Sequence, residues 1–72
     1  DPAPARLARA LLAATRDGEA HVTRRALAEA AGTTVETAIR VLRRFEREGL
    51  LSGEVGLLRV ADIATLRRIA AG

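Results

Sequence analysis

Leucine and alanine recur at helical spacing in the first part of the chain. From Ala5 to about Arg16, Leu7, Leu11 and Ala14 share one face, with Ala8 and Leu12 beside them. Arg6, Arg9 and Arg16 lie largely off that face. Asp1–Pro2–Ala3–Pro4 reads as a linker leading into the helix, since proline is tolerated in a first helical turn and not later. Asp17–Gly18 stops the helix, and Glu19 to Val22 suits a short strand. A second helix is predicted from about Arg24 to Ala31, capped by Thr23, with Leu27, Ala28 and Ala31 inward and Gly32 at its end. Thr34 caps a third helix that runs to about Glu48, and Gly49 closes it. Leu50 and Leu51 begin a strand. Ser52–Gly53–Glu54–Val55–Gly56 reads as a turn, and Leu57 to Val60 as the returning strand of a β-hairpin. Asp62 caps a last helix, Ile63 to Ala70, in which Ile63, Leu66 and Ile69 recur at helical spacing.

The predicted order is helix, strand, helix, turn, helix, hairpin, helix. This is a mostly α fold with a small β-hairpin: a winged helix-turn-helix with a three-helix core, a wing and a C-terminal helix. The linker would span residues 1–4 and the single domain residues 5–72.

Composition narrows the chemistry. A chain of 72 residues buries only about 60% of its unfolded surface, which leaves no room for a deep active-site cleft beside a core. Cysteine is absent, which excludes disulfides, thiolate metal sites and cysteine nucleophiles. The one histidine, His21, cannot build a zinc site alone. Ser52 has no evident histidine partner, and Gly53 and Gly56 belong to a hairpin and not to a phosphate loop. No catalytic residue, metal or cofactor is therefore expected in this fragment. No apolar run approaches the ~20 residues that span a bilayer, and no signal peptide is visible, so a cytoplasmic protein without a membrane partner is expected. The net charge is +3, and all 12 basic residues are arginine. Codon bias in a GC-rich genome also accounts for the missing lysine, so the positions of the arginines carry more weight than their number.

Those positions point to helix 3. Ala38, Val41, Leu42 and Phe45 are spaced i, i+3, i+4, i+7 and form its core stripe. The opposite face carries Glu36, Ile39, Arg40, Arg43, Arg44 and Arg47. In a helix-turn-helix the second helix enters the major groove and reads bases with its N-terminal residues. The candidate base contacts are therefore Val35, Glu36, Ile39 and Arg40. Arg40 offers a fork to guanine O6 and N7, Glu36 accepts from the cytosine amino group, and Ile39 suits a thymine methyl. The competing explanation for Glu36 and Arg40 is an i,i+4 salt bridge, and for Ile39 an ordinary exposed apolar residue. Candidate phosphate contacts are Thr23, Arg24 and Arg25 at the start of helix 2, Thr34 and Thr37 at the start of helix 3, and Arg43 and Arg44 along it.

The stretch Val22–Thr23–Arg24–Arg25–Ala26–Leu27–Ala28, Ala31–Gly32, Thr34 to Leu42, Phe45–Glu46 and Glu48–Gly49–Leu50–Leu51 resembles the cyclic-AMP receptor / fumarate–nitrate regulator family of bacterial transcription factors. Val60–Ala61–Asp62, Leu66 and Ile69–Ala70 also fit. The resemblance implies that Glu36 and Arg40 read a GA step, with its complementary TC, in each half of a palindromic DNA site. It implies that Thr23, Arg25, Thr34 and Thr37 stand at phosphate-contacting positions. The receptor branch has arginine where this chain has Val35, and the fumarate–nitrate branch has serine where it has Ile39. Glu54 makes the wing tip acidic. Family members also carry an effector-binding β-barrel and a long dimerisation helix, so the resemblance implies a fragment of a homodimeric protein. The loop Asp17 to His21 lies where some relatives touch RNA polymerase; if it does so here, replacing those residues would alter promoter activation by the full protein.

Two other readings compete. GntR-like or MarR-like winged helices share the helix 3 pattern, but an extended basic wing is missing and the Asp62 helix is present. A protein-interaction winged helix that binds no DNA would be expected to lose basic residues from helix 3, whereas Arg40, Arg43, Arg44 and Arg47 are retained.

Overall fold

The computed structural model describes residues 2–72; Asp1, the first residue of the expected linker, lies outside the described residues. Four helices and a three-stranded sheet follow in the order α1 (Ala3–Ala14), β1 (Glu19–Ala20), α2 (Arg24–Ala31), α3 (Val35–Arg47), β2 (Leu51–Glu54), β3 (Leu57–Val60) and α4 (Ile63–Ala71). The fold is the expected mostly helical winged helix-turn-helix. Helix α1 begins two residues earlier than the periodicity suggested, which takes Ala3 and Pro4 out of the expected linker. Pro4 sits in the first turn, where a missing N–H costs no helical hydrogen bond.

The end of α1 also differs. The helix stops at Ala14, Thr15 is extended, and the Thr15 hydroxyl donates to the Leu11 carbonyl at 2.7 Å. Asp17–Gly18 is more than a helix stop. Both residues have positive φ, 53° and 80°. Arg16 and Glu19 exchange backbone hydrogen bonds of 2.7 and 3.0 Å across them. This is the pattern of a type I′ hairpin turn, which Asp-Gly favours. It brings β1 against β3, with Glu19 opposite Arg59 and Ala20 opposite Leu58. The sheet order is β1-β3-β2, all antiparallel.

The wing is longer and its turn tighter than expected. Ser52, Gly53 and Glu54 are strand residues paired with Arg59, Leu58 and Leu57, so that only Val55–Gly56 forms the turn. The expected five-residue turn gave way to strand pairing because the register satisfies backbone groups on both sides of Gly53.

The core joins all the layers. Phe45, Leu7, Leu11, Leu27, Leu42, Leu58 and Leu66 are its largest fully buried side chains. Helix α1 packs against α2, α3 and α4. Arg9 Nη1 also donates to the Ala70 carbonyl at 2.6 Å, which satisfies an acceptor at the end of α4. Some members of the expected apolar stripes lie at the edge. Leu12 and Ala14 are half-buried, and Ile63 is 40% exposed. Ile63 occupies the first position of α4, whose buried face is set by Leu66 and Ala70 one turn apart.

Asp62 caps α4. Its carboxylate accepts from the Thr65 backbone amide at 3.0 Å and the Thr65 hydroxyl at 2.8 Å. These bonds, the backbone one foremost and with Arg68 adding attraction, hold its carboxyl below the ordinary 3.8. A carboxyl with a lowered folded pKa contributes stability above its unfolded value and loses it as pH falls through the folded one. Asp62→Asn should therefore flatten the loss of stability below about pH 4, followed by urea melts across that range. An unchanged acid limb would contradict this role.

Candidate nucleic-acid interface

Helix α3 is placed by its caps and by its buried face. At its start, the Thr34 hydroxyl accepts from the Thr37 backbone amide at 3.1 Å. The preceding helix ends at Gly32, whose φ of 69° is left-handed. Thr33 N–H then bonds the Ala28 carbonyl at 2.9 Å, which closes a tight turn between α2 and α3. At the other end Leu50 N–H bonds the Phe45 carbonyl at 2.9 Å. Between the ends, Ala38, Val41, Leu42 and Phe45 are buried as the spacing predicted. With 100° per residue, this fixes what points the opposite way.

That opposite face carries Glu36, Arg40, Arg43 and Arg47, all exposed. None of the four has an ion-pair partner among the described residues. The Glu36–Arg40 salt bridge that the sequence left open is therefore not formed. The acids that form ion pairs are engaged elsewhere. Glu48 holds Arg44 at 3.1 Å, and Arg59 lies between Glu19 at 3.5 Å and Glu54 at 3.3 Å. Glu19 also lies 3.6 Å from His21, so the Asp17 to His21 loop combines a tight turn with a charged edge on the sheet. Along α3 the charges suit the helix dipole, with Glu36 in the first turn and Arg44 and Arg47 in the last.

The remaining candidates fall into place with differences. Val35 is half-buried against the core, so only part of its side chain is available at the amino end of α3. Ile39 is half-buried and not fully solvent-facing as the periodicity implied. It sits on the flank between the core stripe and the charged face. Thr23 caps α2 by accepting from Ala26 N–H at 3.0 Å, which leaves its hydroxyl proton free to donate. Thr34 donates its proton to Thr37 Oγ1 at 3.0 Å, so the free proton at that end of α3 belongs to Thr37. Arg25 is exposed. Arg24 is turned toward the wing, and its Nη1 donates to the Glu54 carbonyl there at 2.8 Å. No spacing rule could have revealed that contact, since it joins residues thirty apart.

The arrangement can bind an extended polyanion along one side of α3. Among the described residues no cluster of three metal-ligating side chains occurs, and no helix is long and apolar enough to cross a membrane.

Comparison with known proteins agrees with this geometry. Residues 5–69 match the family described as the Crp-like helix-turn-helix domain. The catabolite activator protein of Thermus thermophilus is 34% identical, with a TM-score of 0.88 over 97% of this chain and 34% of that one. A CRP-family transcriptional regulator, also of Thermus thermophilus, is 28% identical, with a TM-score of 0.90 over 100% of this chain and 42% of its own. FixK2 of Bradyrhizobium japonicum shares the fold, with a TM-score of 0.86 at 23% identity over 99% of this chain and 39% of its own. A search of curated protein sequences found no significant match. The chain spans well under half the length of these structures.

The cap at Thr34 sets the amino end of this face. Thr34→Ala should destabilise the domain by about 0.5–2 kcal/mol, whereas Thr34→Ser should stay near wild type. Equal denaturation midpoints for all three proteins would contradict the assignment.

Proposed function

The chain belongs to the Crp-like helix-turn-helix family, and on that premise we propose that α3 reads the major groove at one half of a palindromic DNA site. The family and its structural relatives are transcription regulators, so the chain is a DNA-binding domain and not an enzyme. The observation that carries the finer reading is the exposed charged face of α3: among the described residues, Glu36, Arg40, Arg43 and Arg47 have no ion-pair partner that competes with DNA.

The roles follow from chemistry and position. Arg40 presents a guanidinium fork to guanine O6 and N7, and Glu36 accepts from the amino group of the cytosine in the complementary TC step. Ile39 packs its free flank on a thymine methyl, and Val35 touches an outer base pair with the part of its side chain outside the core. Thr23 and Thr37 donate their free hydroxyl protons to phosphates, with Thr34 beside them. Arg25, Arg43 and Arg44 supply charge along the backbone, Arg44 by exchanging Glu48 for phosphate. The intact protein binds as a homodimer whose two GA-containing half-sites lie about one helical turn apart.

Two substitutions separate base reading from backbone attraction. Arg40→Ala should lower specific affinity by ~1–3 kcal/mol and relax preference at one guanine. Arg43→Ala should weaken all sequences about equally and reduce the salt slope by about 0.9. Titrations of both variants against site duplexes with single base changes check this. An Arg40→Ala variant with unchanged base preference would refute the base assignment.

A further inference from the structure

The two neighbouring arginines at the start of α2 are not equivalent. Arg25 is exposed, whereas Arg24 is half-buried and bonded to the wing. We propose that Arg24 is a positioning residue that latches the wing onto the amino end of α2, so that its guanidinium is engaged within the domain and not on the DNA backbone. The consequence for DNA rests on the DNA-binding reading above; the latch itself does not.

Three features support the latch. First, the Arg24 Nη1 bond to the Glu54 carbonyl, 2.8 Å long, is the one hydrogen bond from the wing tip to a helix among the described residues. The Glu54 carboxylate bonds Arg59 of the same hairpin, which stiffens the wing without tying it to the helices. Second, the tip has no apolar anchor, because Val55 is 99% exposed. Third, the guanidinium lies over Gly53 of β2. A Cβ there would lie 3.3 Å from Arg24 Nη2, and only 2.6 Å from both the Leu57 carbonyl oxygen and Leu58 Cδ2. The two closer contacts are the hairpin's own and are what require glycine there; the third places the guanidinium directly beside the β2 backbone.

The geometry gives the latch a task. Thr23, Arg24, Glu54, Val55 and Gly56 line one groove of about 340 Å³ between the wing turn and α2. Thr23 on one wall carries a free hydroxyl proton. Arg24 sets the distance between the walls, and thereby where Val55–Gly56 stands relative to a strand lying on Thr23. A guanidinium donating to a carbonyl is charge-assisted, and such bonds are roughly twice as strong as neutral ones.

The test compares Arg24→Met with Arg25→Met in the 72-residue chain. Arg24→Met should lower the amide order parameters of Val55 and Gly56 from about 0.85 to below about 0.6, with helix amides unchanged. Its affinity for DNA should fall while the slope of affinity against salt stays at the wild-type value. Arg25→Met should leave the wing rigid and reduce that slope by about 0.9. The proposal is overturned by a rigid wing in Arg24→Met, or by a slope that drops as it does for Arg25→Met. Should the chain bind no DNA at all, the DNA reading fails, and the order parameters of the free protein still decide the latch.

Discussion

Everything on the binding side depends on the complete burial of one face of α3. Phe45 and Ala38 are fully inaccessible and Leu42 and Val41 nearly so, in contact with a core drawn from every other helix and from the sheet. A helix of 13 residues fixed this way cannot rotate without exposing an aromatic ring and three aliphatic side chains. Its rotation decides which residues face outward. The charged face is thus held by packing on its far side, which keeps it rigid without using its own side chains.

The distribution of acids completes that design. With a net charge of +3, the domain has enough carboxylates to neutralise most of its arginines. The fold instead places Glu19 and Glu54 around Arg59 on the sheet and Asp62 on the cap of α4. Glu48 takes only Arg44 at the far end of α3. The sheet and α4 consume local charge for structural ends, and among the described residues Arg40, Arg43 and Arg47 of α3 have no ion-pair partner. Electrostatic attraction to a polyanion is long-ranged and salt-dependent, so a cluster of unpaired arginines matters more than the net charge.

Much of this was legible in the sequence, for identifiable reasons. The α2 and α3 boundaries could be read because Thr23 and Thr34 are strong caps and Gly32 and Gly49 mark the helix ends. The core stripe of α3 could be read because its apolar and charged residues separate cleanly at helical spacing. Three features escaped. Asp17–Gly18 signals a hairpin turn as well as a helix end, but its strand β1 pairs with β3, some forty residues on. The wing turn looked long because Ser52, Gly53 and Glu54 are poor strand formers, and only pairing with Leu57, Leu58 and Arg59 makes them a strand. Arg24 was indistinguishable from Arg25 until the wing was folded against it. Each of these depends on contacts between residues distant in the chain, which periodicity does not register.

The measurement that bears most directly on the central claim is a fluorescence-anisotropy titration of the chain at two salt concentrations. One duplex carries a palindrome of two TTGA half-sites, and the other a scrambled sequence of equal composition. Binding that weakens as salt rises and favours the palindrome at both concentrations is the result expected if the exposed face of α3 reads sequence. Equal affinity for the two duplexes would contradict base reading at Glu36 and Arg40, and absence of binding at low salt would contradict DNA recognition by this face altogether.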